Sequence, residues 1–111
     1  MLRNLLRWNV FAQLTEKEFL LIAHQKLEQL SELIENTSED IDLSATNSIL
    51  TLRKGPHTIV INTQTPNRQL WYSSTISGPQ RFDWEDQQWW NVRKEKIDSV
   101  LERDMRAMLA V

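Results

Sequence analysis

Two groups of residues carry the chemistry this chain can offer. The first is a run of carboxylates, Glu28, Glu32, Glu35, Glu39, Asp40 and Asp42, with no base among them; all 13 lysines and arginines lie elsewhere. A local charge imbalance of that kind persists on a folded surface. The second group is Trp71 with the amides Asn62, Gln64 and Gln69, the turn residue Asn67, and Arg81. An aromatic ring and a guanidinium surrounded by amides have the make-up of a protein–protein hot spot. Burying about 200 Å² of indole at about 25 cal/mol/Å² offers up to roughly 5 kcal/mol before the costs of association.

Other chemistries are excluded. The chain has no cysteine, hence no disulfide, no catalytic thiol and no thiolate ligand for zinc or an iron–sulfur cluster. It has no Glu-x-x-His pair of the di-iron type and no Ser-His-Asp arrangement. Its only glycines are Gly55 and Gly78, so no glycine-rich phosphate loop can form. A net charge of −2 gives no general attraction for nucleic acid. No apolar stretch reaches the roughly 20 residues of a membrane-spanning helix.

The elements that must position these residues follow from pattern. A chain of 111 residues makes one domain with a core of its own. Thr15-Glu16-Lys17-Glu18 is a capping box, opening a helix to about Asn36. Phe19, Leu20, Ile22, Ala23, Leu27, Leu30, Leu33 and Ile34 share one arc of that helix, and Glu28, Glu32 and Glu35 share the opposite one. The pattern then switches to period two. Residues 49–53, 58–64, 69–74, 80–84 and 89–92 read as strands, with 40–45 a further candidate. The connections are short, which favours antiparallel neighbours. A second helix is predicted over Lys94–Leu109, with Ile97, Val100, Leu101, Met105 and Met108 on its apolar face. Asp104 intrudes on that face, and pattern alone offers no reason for it.

This order implies an α+β two-layer sandwich with both helices on one face of an antiparallel sheet. The other face is then open. Alternation puts Leu70 and Tyr72 beneath the helices and Trp71 on the open side with Gln69. It adds Asn62 and Gln64 from one neighbouring strand and Arg81 from the other. Residues 1–14, with Arg3, Arg7 and no acid, read either as a mitochondrial targeting segment or as an ordered extension, leaving 15–111 as the domain.

The stretches INTQTPNRQLWYSS and SGPQRFDW resemble the frataxin family, whose eukaryotic members carry N-x-Q-x-P-N-x-Q-[IL]-W followed by SGP-x-R-[YF]-D. The resemblance covers about Glu18 to Leu109. It implies the same sandwich fold, a mitochondrial location, and a role in iron–sulfur cluster assembly. In that role a monomer docks on a complex of cysteine desulfurase and scaffold protein and promotes sulfur transfer. The family's partner-contacting positions fall on Asn62, Gln64, Gln69, Trp71 and Arg81. Its acidic, weakly iron-binding ridge falls on Glu28, Glu32, Glu35, Glu39, Asp40 and Asp42; the chain departs from that ridge at His24 and Gln25, and His24, one turn before Glu28, is either a nitrogen donor or a solvated surface histidine. Carboxylates are hard oxygen donors that suit iron, though Mg²⁺, Mn²⁺ and Ca²⁺ suit them as well. The alternatives are a ferroxidase or iron-storage protein using the ridge, and for the acids a purely solubilising face.

Overall fold

A computed structural model describes residues 14–110; the segment 1–13, with most of the targeting-type stretch, and Val111 lie outside the described residues. Helix α1 spans Glu16–Thr37, followed by strands β1 (Asp42–Ala45), β2 (Ile49–Lys54), β3 (His57–Gln64), β4 (Gln69–Ser74), β5 (Gly78–Glu85) and β6 (Gln88–Trp90), and by helix α2 (Ile97–Leu109).

The capping box forms as its residue types require. The Glu18 N–H donates to Thr15 Oγ1 at 3.1 Å, and the Thr15 N–H donates to Glu18 Oε1 at 2.9 Å. Two of the helix's orphan donors are thereby satisfied. Phe19, Ala23, Leu27, Leu30 and Ile34 are buried along its apolar stripe.

The six strands pair in sequence order as an antiparallel meander. Its turns use residues that reach the left-handed region. Gly55 has φ +57° and Gly78 φ +84°, while Asp86 and Gln87 share the two-residue β5–β6 hairpin at φ +50° and +60°. Leu50, Leu52, Ile59, Ile61, Leu70, Tyr72, Phe82 and Trp89 line the covered face of the sheet and meet Ile97, Val100, Leu101, Met105 and Met108 of α2 in one core. Phe19 bridges the layers, its ring centroid 6.1 Å from that of Trp89 in an edge-to-face arrangement.

The chain departs from the sequence-based expectation around residues 91–96. The strand expected over 89–92 ends at Trp90, and α2 begins at Ile97 rather than Lys94. The reason is local. Asn91 turns the chain out of the ladder with its own side chain, and Lys94 sits at φ +63°, which no helix residue adopts. His57, one residue before the strand expected over 58–64, starts β3, where its Nδ1 lies 3.4 Å from Thr75 Oγ1.

Candidate functional site

The open sheet face holds the residues that alternation assigned to it. Asn62, Trp71 and Arg81 are direct neighbours across β3, β4 and β5, and Gln64, Gln69 and Asp83 form the next row. The Trp71 indole is half-buried rather than loose. The Arg81 guanidinium carbon lies over it, 4.9 Å from the ring centroid. This stacking places the cation on the negative face of the ring. The indole Nε1–H donates to Gln69 Oε1 at 2.9 Å, and Gln69 Nε2 donates in turn to Asp83 Oδ1 at 3.0 Å. The ring is therefore held at an edge and across a face.

Asn62 adds an unmet demand. Its Oδ1 is covered by neighbouring atoms and accepts no hydrogen bond. A buried acceptor left without a donor costs about 1–3 kcal/mol. Asn67 is exposed in the β3–β4 turn, beyond the rows, and Gln64 is half-buried.

Sequence reasoning missed two contributors. Asp83 fixes Gln69; its alternation with Phe82 placed it on this face, but nothing marked it as a hydrogen-bond partner. The second is a wall built by Asn91, Val92 and Arg93 after β6. With Asn62, Trp71 and Arg81 it bounds a groove of about 590 Å³ on the open face.

The acidic residues do not form one site. His24, Glu28, Glu32 and Glu35 line a shallow cleft of about 490 Å³ between α1 and the β1–β2 turn, where Thr46 and Asn47 face them. Glu39 and Asp40 lie in the α1–β1 connection, where the Asp40 N–H donates to Ser38 Oγ at 2.9 Å. Asp42 begins the edge strand β1, opposite Arg53. All six carboxylate residues are exposed, and His24 is half-buried. Among the described residues no three histidine, aspartate or glutamate side chains converge to hold a metal ion. Exposed carboxylates spread in this way are hard oxygen donors that do not close into a coordination site among the described residues.

The comparisons with known proteins agree with this geometry. Residues 12–111 match the frataxin-like domain family. The chain is 40% identical over 101 residues to mitochondrial frataxin of Arabidopsis thaliana, covering 83% of this chain and 54% of that protein. It is 37% identical over 106 residues to mitochondrial frataxin of Caenorhabditis elegans, covering 86% and 78%. With mitochondrial frataxin of Dictyostelium discoideum it is 43% identical over 102 residues, covering 91% and 49%. The chain thus spans about half the length of two of these relatives.

Among solved structures, trimeric frataxin from the yeast Saccharomyces cerevisiae, complexed with ferrous iron, superposes with a TM-score of 0.72 at 31% identity, covering 81% of this chain and 87% of that one. The relatives' mitochondrial names accord with the mitochondrial location expected for this chain. A helix-covered six-stranded meander, its invading tryptophan on the bare face and similarity over most of its length lead to one conclusion: the chain belongs to the frataxin family.

Proposed function

We propose that this protein is an accessory factor of iron–sulfur cluster assembly that docks, one copy at a time, on the cysteine desulfurase–scaffold complex and promotes sulfur transfer. The observation that carries the reading is the Trp71 indole, set on the uncovered sheet face beneath Arg81 and tethered to Gln69. Such a ring is pre-organised: little side-chain freedom remains to be lost when a partner covers it. Asn62, Gln64, Gln69 and Arg81 surround it with groups able to donate and accept, and Asn67 stands at the turn beside them.

Iron enters as cargo. Glu28, Glu32 and Glu35 with His24 offer hard donors along the helix cleft, and Glu39, Asp40 and Asp42 extend the negative surface beyond it. The yeast relative complexed with ferrous iron supports this part of the reading. The test is stimulation of desulfurase-dependent cluster synthesis by the wild type and by Trp71→Ala. The wild type should stimulate and the folded variant should not; equal stimulation by both would remove the docking role.

A further inference from the structure

The groove on the open face has a second wall whose chemistry differs from that of the Trp71 row. Asn91, Val92 and Arg93 leave the end of β6 and stand beside Trp71 and Arg81. Val92 is 89% exposed, the most exposed of the large apolar side chains among the described residues. Yet the loop that displays it is tightly held. Buried Asn91 accepts the Arg93 and Glu95 N–H groups on Oδ1, at 3.0 and 2.9 Å. Its Nδ2 donates to Gln80 Oε1 at 2.9 Å and to Glu95 Oε1 at 3.0 Å, and its own N–H donates to the Glu95 carbonyl at 3.0 Å. Five hydrogen bonds thus fix a loop that points a valine into water. A free loop could turn such a side chain inward; this one is ordered in advance, which lowers the entropy cost of covering it.

Charge narrows the occupant. The residues lining the groove include two guanidinium groups, Arg81 and Arg93, and no carboxylate, on a chain whose net charge is −2. The groove is therefore a basic, partly apolar strip on an acidic protein. We propose that it seats an extended acidic segment of a partner polypeptide. One or more partner carboxylates lie between Arg81 and Arg93, and an apolar side chain packs on Val92 and Trp71. Complementary charge of this kind sets partner choice and register. A polypeptide suits the strip better than a nucleic acid, because the exposed valine has nothing to gain from a phosphate backbone. The inference rests on the docking reading for its location and extends it to the chemistry of what docks.

The test is a random-peptide display selection on the immobilised full chain, followed by capture on variants. Selected sequences should combine Asp or Glu with a bulky apolar residue a few positions away. Their capture should fall about tenfold on Arg93→Glu and several-fold on Val92→Ser, both exposed positions. Arg106→Glu, an exposed change on α2 in the other layer, should leave capture unchanged. Peptides without acid enrichment, no enrichment at all, equal capture on Arg93→Glu, or preferential retention of single-stranded DNA would each overturn the proposal. The selection contains no desulfurase, so a failure to bind that complex would remove the docking reading while this result still decided the character of the groove.

Discussion

The Tyr72 hydroxyl donates to Asp104 Oδ2 at 2.6 Å, joining the centre of the sheet to α2 through the one buried carboxylate among the described residues. Ser77 Oγ donates to the same oxygen, also at 2.6 Å. This is why an aspartate interrupts the apolar arc of the helix. It satisfies two hydroxyls that the β4–β5 hairpin brings under α2, one of them 98% covered with its tyrosine. Truncation to Asp104→Ala leaves the buried Tyr72 hydroxyl without an acceptor, while exposed Ser77 can turn to water, and the expected loss is about 1–3 kcal/mol of unfolding free energy. Asp104→Asn, which keeps an acceptor oxygen, should lose less. Urea denaturation followed by far-ultraviolet circular dichroism measures the difference.

The same contact sets an alkaline limit. Tyr72 is the only tyrosine in the chain. Burial first, and then the hydrogen bond to Asp104 and its negative charge, push its phenol well above the usual value of 10.0. A group whose pKa is raised by folding stabilises the fold fully below its unfolded value. That contribution is lost as pH climbs from the unfolded toward the folded value. Stability should therefore decline above about pH 10, and the phenolate absorbance band should appear together with unfolding. In Tyr72→Phe the alkaline decline should be markedly weaker.

The acid limb has a different origin. The Glu95 carboxyl is held below its usual 4.5, first by the hydrogen bond from Arg103 at 2.8 Å and then by Asn91. A lowered carboxylate stabilises the fold above the unfolded pKa, and its contribution disappears as pH falls through the folded value. Below about pH 4.5 the wild type should lose stability more steeply than Glu95→Gln. Because Glu95 also receives Asn91 Nδ2, amide protection factors in residues 91–95, taken relative to the intrinsic exchange rate at each pH, should fall first as pH is lowered.

The exposed acids give a prediction about iron. With no three ligands converging among the described residues, ferrous binding should be weak and displaced by excess Mg²⁺. Changing Glu28, Glu32 and Glu35 together to glutamine should weaken it further without altering the fold, since all three are exposed. Oxidation of Fe²⁺ in air should proceed at the buffer rate with either protein. A faster wild-type rate that the triple variant loses would establish a ferroxidase instead.

Much of this molecule is legible in one dimension because alternation and helical spacing are local. The capping box at Thr15, the buried stripe of α1 and the parity that sends Trp71 and Tyr72 to opposite faces all follow from neighbours a few residues apart. Hydrogen bonds between distant residues leave no such trace. Asp104 looks misplaced until Tyr72, 32 residues away, is brought beneath it. Asn91 reads as the tail of a strand, because nothing local marks its side chain as the clamp of the next turn. The acids differ again. Spacing puts Glu28, Glu32 and Glu35 on one side of a helix, but it cannot bring Glu39, Asp40 and Asp42 into the cleft beside them.

The central claim is that the Trp71 face is where a partner binds. Its most direct test is a calorimetric titration of the purified desulfurase–scaffold complex with the wild-type chain and with Trp71→Ala, after circular dichroism has shown both to be folded. Loss of a hot-spot ring of about 2 kcal/mol or more corresponds to a Kd at least about 30-fold weaker. That weakening, with an unchanged unfolding midpoint, is the expected result. A folded Trp71→Ala that binds the complex as tightly as the wild type would contradict the account.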